Sequence, residues 1–555
     1  MNRQYTNQQQ YYQNFKILNE INEILKSSYG AHSRSKLITM VIDYKSIWPN
    51  DPHASENKHV VLSNQKVLLT NDGLNIIKSI NSDSPIYSII LNQCTQIRLN
   101  IGNGVKQYML LLNSLLNELI DIQDVTFLET IDVIRNCKQY LFNQLEVKKT
   151  PRMLDMNNKE SFQSIIRTFL SGNVLYSNYQ FISDLMLQLY HRIPTLNQNH
   201  LDIVCIHGSN VSINDSYLMD GIMYPSTFTY SGAEYLSKHI ENPKILFLKQ
   251  DIELKHQREY SSIQIHNTQE YQQFIDTEID LVQNQIHNVI KHRCNVILNS
   301  NVIGDLAIQQ FSKLNKLEHK IQCSGRIDES TMKNLLQALG GALQYTLNDL
   351  HEDSKFYGTC DAYKELHFGK KKYETFTGCH GRFATIILRG SSSRFLDEAK
   401  VGLSNCITSL RNLIYGIEPY KIVDGAATFE SICSNELTHY NNTQITNPKH
   451  KLIVNSFVNS LNYSITTLAN NSCLDSNQLL DQLLFSNNIS IEQQLQQQQK
   501  EQEQVQEREL QRSLNGIDIE QGEISTNLEV LESYSQKLTI LNSVVDSVNL
   551  LLSIQ

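Results

Sequence analysis

Apolar residues near the start of the chain recur with helical spacing. They fall at Phe15, Ile17, Leu18, Ile21, Ile24 and Leu25, and the pattern stops at Tyr29-Gly30. Apolar positions three and four residues apart share one face of a helix, so the pattern predicts a helix that ends before a glycine loop. The same spacing predicts helices over 74–80, 91–99 and 105–120 and a last helix over 531–554.

The middle of the chain, from about 200 to 350, has a different pattern. Short apolar runs at 203–206, 245–248 and 295–298 predict strands, and helical stretches at 269–290 and 308–317 lie between them. This alternation is typical of an α/β layer domain. Helix-rich ends therefore flank an α/β centre, and 555 residues are enough for three or four domains.

Composition and charge narrow the class of protein. The chain has 48 Lys and Arg against 57 Asp and Glu, a net charge of −9, so we expect no nucleic-acid partner. The 10 cysteines are scattered without a CxxC pair, which is typical of a reduced, cytoplasmic protein. No secretory signal is evident, and no apolar run is long enough to predict a membrane span.

One segment, Ile491–Arg512, is rich in Gln and Glu and also contains a few apolar and basic residues. It contains no Gly or Pro and predicts a solvated insertion, either helical or disordered. A partner-binding coiled coil is the alternative, although its apolar residues do not sustain a heptad pattern.

Three glycine-containing turns precede predicted helices, at 30–36, 70–73 and 102–104. Glycine allows a backbone to approach a phosphate closely, and helix N-termini carry unpaired N–H groups. Each turn alone is weak evidence, because such turns are common and no GxxxxGK[ST] or GxGxxG motif is present.

The order of these turns is more specific. The segments SSYGAHSRSKL (27–37), VLLTNDGLNIIKSI (67–80) and IRLNIGNGVKQYMLLLNSLL (97–116) resemble the SSLGPKGMDKM, TNDGATILK and GDGTT segments of group II chaperonins. The resemblance continues in DSYLMDG (215–221), in 384–407 and in GIDIEQGEI (516–524), and covers about the whole chain.

The resemblance implies an α+β multidomain fold with the group II chaperonin architecture. Its helical equatorial domain would comprise 1–142 and 405–555, including the Gln-rich insertion 491–512. A small intermediate domain would comprise 143–211 and 361–404, and an α/β apical, client-binding domain 212–360. The implied partners are unfolded or unassembled protein clients, cytosolic chaperonin subunits and related chaperonin-like proteins.

The resemblance also implies a site for ATP and Mg²⁺. The implied nucleotide-binding residues are Gly30, Asn71, Asp72, Gly73, Gly102, Asn103, Gly104, Val105, Lys106, Gly425 and Ala426. Asp72 is the implied catalytic residue.

Two acids of the family pattern are absent from this chain. Asn103 takes the place of the Mg²⁺-binding aspartate of GDGTT, and Asn405 that of the hydrolytic aspartate of a DAL motif. A carboxamide is a poor Mg²⁺ ligand and a poor proton acceptor, so we expect weak Mg²⁺ binding and weak or absent ATP hydrolysis. Nucleotide binding could be kept, with Lys106 offsetting phosphate charge, or lost, and Asp72 could serve only as a helix cap.

Such losses resemble the chaperonin-like proteins of the McKusick-Kaufman and Bardet-Biedl syndromes. That resemblance implies a chaperone for assembly of a multi-subunit complex of cilia and vesicle traffic, located in the cytoplasm and at centrosomes. The alternative is an active, ATP-dependent subunit of a hetero-oligomeric chaperonin ring, and the sequence leaves ring, small complex and monomer open.

Overall fold

Contacts divide the chain into two units in the computed structural model. The first unit is Met1–Ser183 with Asp397–Gln555, and the second unit is Asp184–Leu396. The structure describes residues 15–40, 66–80, 82, 84–122, 125–147, 151–155, 158–196, 200–226, 235–253, 267–316, 320–347, 350, 353–501, 515–526 and 529–553. The boundaries of a separate intermediate domain stay a prediction.

The helices are numbered in chain order. They are α1 (15–26), α2 (Gly73–Ser79), α3 (Pro85–Ile101), α4 (Val105–Ile120), α5 (Phe127–Val147), α6 (Lys159–Phe169), α7 (Tyr179–Arg192), α8 (Thr268–Lys291), α9 (Asp305–Lys316), α10 (Glu329–Leu339), α11 (Ser393–Tyr415), α12 (Thr428–Thr443), α13 (Pro448–Asn471), α14 (Ser476–Glu501) and α15 (Tyr534–Ser553).

The strands are short. They are β1 (Lys36–Met40), β2 (Lys66–Thr70), β3 (Arg152–Met153), β4 (Leu201–His207), β5 (Tyr217–Pro225), β6 (His239–Glu241), β7 (Lys244–Leu248), β8 (Val296–Asn299), β9 (Gln322–Ser324), β10 (Leu343–Gln344), β11 (Gly358–Thr359), β12 (Ala362–Phe368), β13 (Lys371–Thr377), β14 (Ala384–Gly390), β15 (Lys421–Asp424), β16 (Gly516–Asp518), β17 (Glu523–Ser525) and β18 (Leu531–Ser533).

The first unit is a helical body built around α4. This helix is apolar on most sides, because it packs against both α13 and α15. Tyr108 of α4 is fully buried, and its hydroxyl donates to Ser547 Oγ at 2.8 Å. Burial of α4 on several faces explains why its sequence lacks the polar stripe of a surface helix.

The predicted last helix starts later than its apolar pattern suggested. Residues 531–533 form β18, which pairs antiparallel with β15 and places Glu532 opposite Val423. The helix therefore begins at Tyr534. A short apolar run does not distinguish a helix from a strand. Pairing with β15, which is distant in the chain, makes residues 531–533 a strand.

The second unit contains two sheets. One has the order β4-β14-β5-β13-β12-β6, in which β14 is parallel to β4 and antiparallel to β5. The other has the order β10-β7-β8-β9 with parallel pairing, and β11 is antiparallel to β7. Every residue of β8 is buried, as expected of a parallel strand covered on both faces. The predicted α/β centre is confirmed.

Part of the Gln-rich insertion is helical. Helix α14 continues to Glu501, so its first half follows the helical alternative, and residues 502–512 lie outside the described residues. Among the described helices, none combines the length and apolarity needed to cross a membrane.

A buried ion cluster links three helices of the first unit. Lys537 Nζ of α15 donates to Glu430 of α12 at 2.7 Å and also contacts Glu532, while Gln107 of α4 donates to Glu430. Burial alone would raise the pKa of Glu430, but the Lys537 ammonium and its hydrogen bond hold the pKa below its usual value. The cluster fixes α4, α12 and α15 around the same point.

We predict that Lys537→Met destabilises the protein by about 3–5 kcal/mol, because Glu430 is left buried without its cation. The side chains of Lys537 and Glu430 are only 8% and 5% exposed. Lys421→Met is the control, since its pair with Glu418 is 34% and 29% exposed and is worth at most about 1 kcal/mol. Urea unfolding measures both, and equal losses would contradict the prediction.

The stability that Lys537→Met loses should also depend on pH. The stability that Glu430 contributes is present above its ordinary pKa of 4.5 and is lost as the pH falls through the lowered pKa of the folded state. The difference in free energy of unfolding between the wild type and Lys537→Met should therefore become smaller at acid pH.

Backbone packing in the second unit depends on Gly221. Its φ is 131°, and a Cβ there would lie 1.9 Å from the carbonyl oxygen of Phe376 on the neighbouring strand. We predict that Gly221→Ala lowers the free energy of unfolding by about 3 kcal/mol or more. Gly369→Ala is the control, because φ is 62° there but the space is open, and we expect a loss of about 1 kcal/mol. Urea unfolding followed by circular dichroism gives both values. A loss of stability in Gly221→Ala no larger than that in Gly369→Ala would contradict this packing.

Candidate functional site

The predicted nucleotide loops line one cavity of the first unit. Its volume is about 600 Å³, within the roughly 300–1,000 Å³ of small-molecule sites. The predicted residues at its wall are Gly30, Asn71, Asp72, Gly73, Gly102, Asn103, Gly104, Val105, Lys106, Asn405 and Ala426. Gly425 is not at the wall, and its N–H instead donates to the carbonyl of Val530, a wall residue.

Gly102 brings the loop after α3 against α11. Its φ is 81°, and a Cβ would lie 2.3 Å from the carbonyl oxygen of Asn405. Ser409 of α11 also donates to the carbonyl of Ile101 at 2.8 Å. Only glycine permits this approach, which sets Asn103 and Asn405 at the same cavity.

Both oxygens of Asp72 have partners within the protein. Oδ2 accepts from the backbone N–H of Asn75 at 3.0 Å and from Arg98 Nη1 at 2.6 Å. Oδ1 accepts from Asn405 Nδ2 at 3.0 Å. Asp72 thus caps α2, which is one of the two roles that the sequence left open. It also forms an ion pair with Arg98.

The two amides at the predicted acid positions act as hydrogen-bond donors. Asn103 Nδ2 donates to the carbonyl of Phe169 at 3.0 Å, and Asn405 Nδ2 donates to Asp72. An ionised carboxylate only accepts hydrogen bonds, so an aspartate at either position would face an acceptor instead. Both amides therefore find hydrogen-bond acceptors within the protein, and neither contact requires a metal ion.

Lys106 lies at the wall of the cavity. Its ammonium donates to the carbonyl of Ser28 at 2.5 Å and to Asn71 Oδ1 at 3.0 Å. Burial lowers the pKa of Lys106 to about 8, although Asp72 and Glu398 oppose the shift. An ammonium has three N–H groups, so the described residues leave one for the cavity.

Asn71 ties the elements around Lys106 together. Its backbone N–H donates to Glu398 Oε1 of α11 at 3.0 Å, and its side chain donates to Ser33 Oγ at 2.7 Å. Burial raises the pKa of Glu398 above its usual value, and the hydrogen bond from Asn71 works against the shift. Glu398 is a second carboxylate near Lys106 that the sequence interpretation missed.

Arg98 was missed as well. It lies in the last turn of α3, and its carbonyl accepts the N–H of Gly102, so one helical turn separates it from the glycine loop. A basic residue in that position, with an acid at the start of α2, is the signal that could have identified it.

A third missed residue is Arg167 at another part of the wall. Its Nε donates to the hydroxyl of Tyr176 at 3.1 Å. Its guanidinium also lies 5.6 Å from the ring centre of Tyr179. It approaches Glu520 at 4.0 Å, so this part of the wall is polar and aromatic.

The turn after β15 keeps an unusual backbone. Ala426 and Ala427 have φ of 55° and 69°, in the left-handed region that favours glycine. Such strain costs on the order of 1 kcal/mol per residue and persists only where surrounding structure fixes it. The cavity wall thus contains a turn with alanine at two left-handed positions that favour glycine.

These residues fit a nucleotide better than they fit Mg²⁺. The cavity volume, the glycine loops and Lys106 suit a nucleoside polyphosphate. Mg²⁺ prefers anionic oxygen, whereas Asn103 and Asn405 present amides and Asp72 already binds a guanidinium. Within the described part of the chain, no three His, Cys, Asp or Glu side chains are grouped to hold a metal ion.

Comparison with known proteins identifies the family. The model of the TCP-1/cpn60 chaperonin family matches residues 54–555. T-complex protein 1 subunit eta of Tetrahymena pyriformis is 27% identical over 86% of this chain and 81% of its own length. The subunit of the same name from Saccharomyces cerevisiae is 25% identical over 89% and 85%, and that of Tetrahymena thermophila is 30% identical over 64% and 99%. The chain therefore belongs to the TCP-1/cpn60 chaperonin family.

Proposed function

We propose that this chain is a chaperonin subunit that binds unfolded or unassembled proteins and holds a nucleotide that it hydrolyses weakly or not at all. The observation that carries the proposal is the state of Asp72, the one acid of the family pattern that remains. Its oxygens accept from Arg98, Asn405 and the start of α2.

Hydrolysis needs a group that polarises an attacking water. Asn405 has no proton affinity at neutral pH, and its amide is turned toward Asp72 as a donor. Asp72 already balances the charge of Arg98 and accepts from the amide of Asn405, so it is poorly placed to polarise a water. The chain's own residues therefore hold nucleotide in place but do little to activate water.

Exposed apolar side chains on two helices of the second unit support client binding. Tyr271 and Leu281 of α8 and Leu306 of α9 are exposed, while the opposite faces of these helices pack into the core of that unit. Unfolded proteins expose apolar segments that such side chains can bind.

Two assembly contexts remain proposals. The three relatives described above are named as subunits of T-complex protein 1, which favours a place beside other chaperonin subunits in a hetero-oligomeric ring. Loss of two acids favours instead a cytoplasmic and centrosomal assembly chaperone of the Bardet-Biedl type. An active, ATP-hydrolysing ring subunit is the second candidate function, and the same relatives favour it.

We predict that the purified protein suppresses aggregation of chemically denatured luciferase. Leu281→Glu with Leu306→Glu should weaken suppression several-fold, because charge replaces apolar contact. Leu452→Glu is the control, since Leu452 is a similarly exposed leucine of the first unit. Light scattering measures all three proteins, and equal effects of the two changes would contradict this client surface.

We also predict that Mg²⁺-dependent ATP turnover of the wild type equals that of Asp72→Asn. Both should stay at the background of the phosphate-release assay, because water activation is missing in each. Turnover by the wild type that Asp72→Asn abolishes would instead establish the active ring subunit.

A further inference from the structure

We propose that the cavity binds its nucleotide as the free polyphosphate, without a divalent cation, because Arg98 is a fixed counter-ion for Asp72. Lys106 then supplies the cation that meets phosphate. This inference rests on the nucleotide binding of the proposed function and specifies the form of the ligand.

The charges around Asp72 and Lys106 support this assignment. Two carboxylates, Asp72 and Glu398, lie near two cations, Arg98 and Lys106. The formal charges of these four side chains cancel, so this group by itself presents no surplus of negative charge beside Lys106.

Further carboxylates line the cavity, namely Glu430, Glu532, Glu520, Glu529 and Asp518. Glu430 and Glu532 both contact Lys537, and Glu520 lies near Arg167. Lys106 donates to a backbone carbonyl and to an amide oxygen, both neutral, so its remaining N–H can meet an added phosphate.

A divalent cation would be disfavoured at the same place. To reach Asp72 it would have to displace a guanidinium held at 2.6 Å, in a site where that side chain is only 19% exposed. The nearest alternatives are amide oxygens, which bind Mg²⁺ poorly. A free polyphosphate meets neither obstacle, since anions gain from the charge-assisted hydrogen bond of an ammonium.

Calorimetric titration of the full chain with ATP tests this, once in EDTA and once in excess Mg²⁺. We expect ATP to bind in EDTA at least as tightly as with Mg²⁺. Arg98→Gln should weaken binding in EDTA about tenfold, because Asp72 is left uncompensated, and Mg²⁺ should restore it. Arg98→Lys keeps the positive charge and should retain metal-free binding.

Arg135→Gln is the matched control, because Arg135 pairs with Asp132 on an exposed part of α5, and its affinity should not change in either buffer. Binding only with Mg²⁺ would overturn this inference and leave the proposed function intact. Absence of ATP binding in both buffers would overturn the nucleotide part of the proposed function together with the inference.

Discussion

The carboxylate of Asp72 accepts hydrogen bonds from a guanidinium, an amide and a helix N-terminus, and the chemistry of the site depends on these contacts. A metal ion at Asp72 would have to compete with the Arg98 guanidinium for the same carboxylate. The amides at 103 and 405 complete the arrangement, because each gives its N–H to an oxygen that a carboxylate would repel. The amides of Asn103 and Asn405 and the guanidinium of Arg98 are thus mutually consistent, since each donates to an oxygen of the site.

The backbone of the site suits a nucleotide more fully than its side chains do. Gly102 still permits the close approach of α11, and Ala426 and Ala427 still hold a left-handed turn at the cavity wall. The cavity is consequently of nucleotide size. The proposed function follows from this difference, because the cavity has a shape that suits a nucleotide whereas Asn103 and Asn405 present amides at the positions where acids are expected.

The sequence predicts the helical ends, the α/β centre and the loops at the cavity, because each has a local pattern of its own. It does not predict partners that only the fold brings together. Arg98 is 26 residues from Asp72, and Asn103 is 66 residues from Phe169, so each pair is distant in the chain and only the fold brings it together. Residues 531–533 continue an apolar pattern of helical type, yet they form a strand because β15 lies beside them.

Electron paramagnetic resonance of Mn²⁺, used in place of Mg²⁺, tests the central claim most directly. Mn²⁺ would be added to the full chain with and without ATP, and the fraction of protein-bound ion measured. The account predicts that the protein adds no site, so the spectra match those of Mn²⁺ and Mn²⁺-ATP in buffer. A protein-bound signal in the presence of ATP that Asp72→Asn removes would contradict it, because Asp72 would then exchange Arg98 for a metal ion.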